Sequence, residues 1–257
     1  MVGREKHEMS YGAASDDPVR IRDDADTNGQ LSAAIESYER YGVASVRPFL
    51  EDRLVETISH ITLESLRKYG VRRDLTAQQT GDSPRRMRNV RKQCVVENFS
   101  DADRIYRSPT LLELLSRVTQ ESVMVCPYEP EQMLITSLER PGDVQGWHLD
   151  DYSIALIWVA EAPAKGGGGF LQIARLPCES DVPESGNIAA ILEQSEIRPY
   201  SCETGDVYII SSRLNMHRVY PISSGTKRTV MNMTYAIPSD LTRELSHSSI
   251  ELLWSET

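Results

Sequence analysis

One stretch limits what this chain can fold into more than any other. Gly146-Trp147-His148-Leu149-Asp150-Asp151-Tyr152 leads, past Ser153, into the apolar run Ile154-Ala155-Leu156-Ile157-Trp158-Val159. The run reads as a strand, and two metal-capable side chains, His148 and Asp150, stand at its mouth. Side chains alternate faces along a strand, so residues two apart point the same way, and an imidazole nitrogen and a carboxylate oxygen there converge on one ion. Any further ligand has to come from elsewhere in the chain.

The sequence contains only five histidines, which keeps the search short. His7 lies in a polar amino-terminal stretch, His60 inside an amphipathic helical pattern, and His247 in a serine-rich stretch near the carboxyl end. His217 remains, and it follows the strand-like run Asp206-Val207-Tyr208-Ile209-Ile210. His148, Asp150 and His217 make a two-histidine, one-carboxylate set, the facial triad of non-haem Fe(II) oxygenases, which leaves positions open for cosubstrate and oxygen. Eleven residues beyond His217, Arg228 begins a strand-like run to Tyr235. A guanidinium at that place is suited to a bidentate pair with a distal carboxylate.

The ordered set of glycine turn, His148-x-Asp150, Gly205-Asp206 before a strand, His217 and Arg228 resembles the Fe(II)/2-oxoglutarate-dependent oxygenases. Their fold is a double-stranded β-helix, the jelly roll of cupin-like proteins. The resemblance implies that His148, Asp150 and His217 ligate Fe(II), that Arg228 holds the distal carboxylate of 2-oxoglutarate, and that O2 is the second cosubstrate. In the radical halogenases of that group, Gly or Ala stands at the position of Asp150 and leaves room for chloride. With the carboxylate in place, the resemblance implies a hydroxylase, an EC 1.14.11-type dioxygenase.

A narrower similarity rests on Pro84-Arg85-x-Met87, Trp147-His148-x-Asp150, the four glycines 166–169, the 69-residue interval between His148 and His217, and Asn232-x-Thr234. These resemble the branch that halogenates or hydroxylates free amino acids, lysine above all, and the similarity spans about residues 80–240. It implies that Arg85 lies near a substrate carboxylate, with Glu131, Asn232 and Thr234 at the polar ends. The charge logic stands without the family: a zwitterion is costly to desolvate, so its carboxylate wants a guanidinium and its ammonium a carboxylate. Asp151 and Trp254 are further candidates for closing the pocket. Arg86 and Gln145 depart from the branch, which commonly has histidines there. The expected substrate is a small polar molecule, a basic, lysine-like L-amino acid of specialised metabolism. The alternatives are the same chemistry on a nucleotide or conjugate, and a non-oxygenase, cupin-like metal protein.

The net charge of −10 argues against nucleic acid as a partner, since phosphate binding needs a clustered positive field. Pro84 to Lys92 is a local basic exception, read as a solvated or substrate-facing patch. No apolar run is long enough to span a membrane and the amino terminus lacks an apolar signal core, so a cytoplasmic enzyme is expected, with a homodimer compatible. Cys94, Cys126, Cys178 and Cys202 show no CxxC spacing and read as free thiols.

Residues 1 to about 28 hold many charges and few large apolar groups, which predicts a disordered tail ahead of a single domain over 29–257. Helical stripes are expected over Leu31–Tyr41, capped by Gly42, over Asp52–Tyr69, and over Pro109–Thr119. A short strand is expected at 43–47, a long polar loop over 71–92, and strands at 133–138 and 170–174, the last entered from a hairpin turn at the four glycines. A short helix is expected around 187–194. Helices in the first half and short strands in the second predict a mainly β jelly roll with an amino-terminal helical cover.

Overall fold

Alternation along the apolar run decides the architecture. In the computed structural model, which describes residues 17–22, 29–175 and 188–255, the run forms β7, Ile154–Glu161, buried at every position but the last. Ile154, Leu156 and Trp158 pack into a core shared with the helices. Ala155, Ile157 and Val159 point the other way, into a second apolar cluster inside the curl of the sheet. Burial on both faces is why the segment reads as continuously apolar.

Before β7 come β1 (Val43–Ser45), β2 (Val71–Ala77), β3 (Ser83–Arg91), β4 (Met124–Val125), β5 (Met133–Leu138) and β6 (Val144–His148). After it come β8 (Leu171–Arg175), β9 (Ile197–Tyr200), β10 (Val207–Ser211), β11 (Asn215–Val219) and β12 (Arg228–Ala236). These antiparallel strands form one curled sheet in the order β1-β10-β7-β12-β5-β3-β6-β11-β8-β9, with β2 beside β3 and β4 beside β12. The result is the expected jelly roll. On β12, Met231, Met233 and Tyr235 face the helical core, which leaves Arg228, Val230, Asn232 and Thr234 for the interior.

The cover consists of α1 (Gln30–Tyr41), α2 (Asp52–Tyr69), α3 (Lys92–Val96), α4 (Ser100–Tyr106) and α5 (Pro109–Thr119), with α6 (Ile188–Gln194) and α7 (Ser248–Trp254) later in the chain. Gly42 caps α1 in the left-handed region at φ 67°, a conformation that glycine adopts at little cost. Leu54, Ile58, Ile61 and Leu66 form the buried stripe of α2, and Leu111, Leu115 and Val118 that of α5. Each such side chain contributes roughly 1.5–3 kcal/mol on burial. The Ser108 hydroxyl caps α5 by accepting from the Leu111 N–H.

Two expectations need correcting. Residues 71–91 are no loop: β2 and β3 form a hairpin in which Leu75 pairs with Arg85. Its alternation escapes a hydrophobicity pattern because the inward positions of β3 include polar Ser83, Arg85 and Asn89 beside Met87. The four glycines do not close a hairpin either. They carry the chain from β7, which pairs with β10 and β12, to β8, which pairs with β11 and β9. The expected tail falls mostly outside the described residues; within 17–22, Val19 is buried and the Asp17 carboxylate accepts from Ser108 and Thr110. Cys94, Cys126 and Cys202 are free thiols, and Cys178 lies outside the described residues.

Candidate functional site

His148 ends β6 and His217 lies on β11, and the two are direct partners in the antiparallel register. Their ring centroids are 4.1 Å apart. Asp150, just past β6, brings its carboxylate to 3.7 Å from His148 Nε2 and 3.9 Å from His217 Nε2. Each imidazole is aimed by its other nitrogen: His148 Nδ1 lies 2.8 Å from the Gly146 carbonyl, and His217 Nδ1 lies 2.8 Å from the Asn215 carbonyl. A carbonyl only accepts, so each Nδ1 carries the hydrogen and each Nε2 presents a lone pair of the kind a metal takes; at His148 the Gln145 amide lies 3.0 Å from it. Burial, then His217 and Arg85, hold the His148 imidazole well below its ordinary pKa, in the neutral form that ligates. Gly146 is required here, because a Cβ would run into the Ser83 hydroxyl and Pro84 on the neighbouring strand.

Arg228 opens β12 facing inward, 2 % exposed. Its Nη2 donates to the Tyr208 hydroxyl at 3.1 Å, while its buried Nε has no partner. Among the described residues no carboxylate pairs with it. A buried cation left this way is costly, so the site is built for an anionic ligand. Arg228, Tyr208, Thr136 and the three metal-capable residues line one chamber. The donor set and the unpaired guanidinium therefore fit Fe(II) and the distal carboxylate of 2-oxoglutarate.

A second chamber shares Gln145, His148, Asp150 and Asn232 with the first. Arg85, Glu131, Asp151, Asn232 and Thr234 all line it, so five of the six predicted substrate residues are brought together. Arg85 is 6 % exposed, and its Nη1 donates to Ser83 Oγ at 2.6 Å and to the Gly146 carbonyl at 3.2 Å. Burial lowers its pKa to about 10, with the Asp150 charge opposing. Asn232 Oδ1 is a buried acceptor without a partner. At the far side, burial and the neighbouring Asp151 and Asp150 push the Glu131 carboxyl up to about 9. Leu75, Met87, Ile250 and Leu253 supply an apolar wall.

Trp254 is the sixth predicted residue, and it does not reach this chamber. Its ring lies under the Arg73 and Arg91 guanidinium groups, 5.0 and 4.5 Å from their central carbons. The same helix sends Ile250 and Leu253 to the chamber instead. Pattern reading also missed Tyr208, whose inward position follows from strand alternation next to Val207 and Ile209. His247 was missed as well; its Nδ1 is 2.8 Å from Glu131 Oε1, a contact across 116 residues that leaves no local signal.

Fold and site together define the class as the jelly-roll Fe(II)/2-oxoglutarate oxygenase fold. The halogenase D family model matches residues 26–255, and the chain belongs to that family. No curated protein matches the sequence significantly. Among solved structures, the non-haem α-ketoglutarate-dependent epimerase SnoN from nogalamycin biosynthesis is 13 % identical, with 80 % of each chain covered and a TM-score of 0.61. AviO1 from Streptomyces viridochromogenes is 18 % identical over 81 % of this chain and 96 % of its own, with a TM-score of 0.57. An oxidoreductase of the 2OG-Fe(II) oxygenase family from Burkholderia pseudomallei is 12 % identical over 81 % and 92 %, at 0.56. At these identities the likeness speaks for the fold.

Proposed function

We propose that the protein is an Fe(II)/2-oxoglutarate-dependent hydroxylase of a small polar substrate, a basic, lysine-like free L-amino acid of specialised metabolism, with residues 29–257 acting as a single domain. One juxtaposition carries this reading: the set His148, Asp150 and His217 shares a chamber with a buried arginine that has no anionic partner among the described residues. His148, Asp150 and His217 would hold the iron, and Arg228 with Tyr208 the distal carboxylate of 2-oxoglutarate. When bound, iron, 2-oxoglutarate and O2 together supply oxidation of an unactivated C–H bond, giving hydroxylated product, succinate and CO2.

Asp150 favours hydroxylation within a family named for halogenation, because its carboxylate fills the position that halogenases leave for chloride. In the substrate chamber Arg85 would take the substrate carboxylate, and Glu131 and Asp151 an ammonium. Asn232 Oδ1 offers that ammonium, or an amide N–H, a further acceptor. The nucleotide alternative draws no support from the basic stretch, since Arg88 donates to Glu139 and Lys92 to Glu129.

The test is mass spectrometry of anaerobic protein loaded with Fe(II) and 2-oxoglutarate, then exposed to O2 in chloride buffer with a panel of L-amino acids while succinate is followed. A product heavier by one oxygen, with matching succinate, is expected. A chlorinated product would overturn the hydroxylase. Succinate without any modified amino acid would overturn the substrate class, and no succinate despite bound iron would leave a non-oxygenase metal protein.

A further inference from the structure

His247 stands immediately before α7 and backs Glu131 at the acidic end of the substrate chamber. Its ring stacks on Tyr128 at 3.8 Å between centroids, with Tyr152 5.9 Å away. Its Nδ1 lies 2.8 Å from Glu131 Oε1, and potential ligand atoms of His247, Glu131 and Asp151 all lie within 4.8 Å of one another. The backbone of His247 is left-handed, at φ 52° and ψ 13°, a conformation that a non-glycine residue holds only when its surroundings enforce it. The helix that begins there contributes Ile250, Leu252 and Leu253 to the chamber wall. One residue thus ties the orientation of the Glu131 carboxylate to the placement of the apolar roof.

We propose that His247 is a positioning residue that makes the chamber selective for substrates with a distal ammonium. By holding Oε1 of Glu131 it leaves the other oxygen, beside Asp151, to receive the cation, whose charge favours the ionised carboxyl that burial and the neighbouring acids otherwise disfavour. The start of α7 meanwhile keeps Ile250 and Leu253 over the methylenes between the two ends. A histidine donates this hydrogen bond without having to carry a charge; a lysine in its place would cancel the carboxylate that the ligand needs. The inference rests on the amino-acid reading above.

Steady-state kinetics with L-lysine and with L-norleucine, which has the same carbon chain but no distal ammonium, test it on His247→Gly and His247→Asn. Glycine accepts the left-handed backbone and removes the donor; asparagine also tolerates that backbone and keeps an N–H near the place of Nδ1. Loss of a hydrogen bond to a charged group should raise KM for L-lysine about tenfold in His247→Gly with kcat nearly unchanged, and His247→Asn should recover most of it. Turnover of L-norleucine, poor at the outset, should respond to neither change. The visible absorption of the anaerobic Fe(II)–2-oxoglutarate complex should persist in both variants, and its loss would make His247 a support of the metal end and overturn the proposal. Unchanged KM for L-lysine, a fall in kcat instead, or no recovery in His247→Asn would overturn it while the substrate reading stands. Wild-type protein indifferent to L-lysine would overturn the substrate reading and the inference with it.

Discussion

The two ends of the cavity are built by opposite means. At the metal end, His148 and His217 sit across from each other on paired strands, and each ring is fixed by a carbonyl two residues earlier in its own strand. At the acidic end, Glu131 closes a 3-10 turn over Glu129–Glu131, Asp151 lies on the loop after β6, and His247 precedes a seven-residue helix. The first arrangement is held by the backbone ladder, which orders those residues whether or not a ligand is present. The second exists only through side-chain contacts between distant segments. Under the proposed function, chemistry is placed on the ladder and selectivity on the loops, so the loops can vary without disturbing the residues that would hold iron.

The sharpest way to break this comparison is to remove a ladder residue. His148→Ala should lose Fe(II) binding and succinate formation by more than the roughly 100-fold that an outer-shell change costs. Metal content and succinate measured on the same sample check it. Iron retained at full occupancy would mean that the triad is not the ligand set. Arg228→Ala comes next, because under the proposed function it removes a charge-assisted contact with the distal carboxylate of 2-oxoglutarate, worth about 1.5–3 kcal/mol. KM for 2-oxoglutarate should rise about 10- to 100-fold with iron still bound. A 2-oxoglutarate titration that does not move would point to a cavity built for another anion.

Glu131→Gln probes the other end. The amide oxygen still accepts from His247, so the turn keeps its shape, while the side chain can no longer ionise against an ammonium. The KM for an ammonium-bearing substrate should rise about tenfold, with iron and 2-oxoglutarate affinities unchanged. Equal damage at both ends would show that the two are mechanically coupled, contrary to the contrast drawn from their construction.

The same contrast explains what the sequence made legible. His148 ends β6, Asp150 follows it, His217 lies within β11 and Arg228 opens β12, each near an apolar strand-like run, and chemistry and spacing grouped them. The hairpin of β2 and β3 was hidden because two inward positions of β3 are polar: Arg85 lines the cavity, and Asn89 donates to Ile135 and Thr136 of β5. Trp254 shows the reverse limit: it was expected to close the pocket, but its segment forms α7, and which face of α7 turns inward depends on how the helix docks. The same holds for His247, whose partner Glu131 is fixed by tertiary packing alone.

The smallest effect expected is that of Tyr208→Phe, and it tests whether the ladder end is as self-sufficient as it looks. The Tyr208 hydroxyl is buried and accepts from Arg228 Nη2. Burial pushes its pKa well above the ordinary phenol range, with the Arg228 charge opposing, so it stays a neutral O–H that also has a hydrogen to donate. Phenylalanine preserves the packing against Tyr200, whose ring is 5.1 Å away, and removes only that oxygen. Because Arg228 itself stays in place to hold the carboxylate, the loss should be no more than an ordinary hydrogen bond, about 0.5–1.5 kcal/mol, so KM for 2-oxoglutarate should rise roughly 2- to 12-fold with kcat and the amino-acid KM unchanged. A shift as large as that of Arg228→Ala would mean that the arginine holds its orientation only through this hydroxyl. The metal end would then depend on a side-chain contact just as the acidic end does.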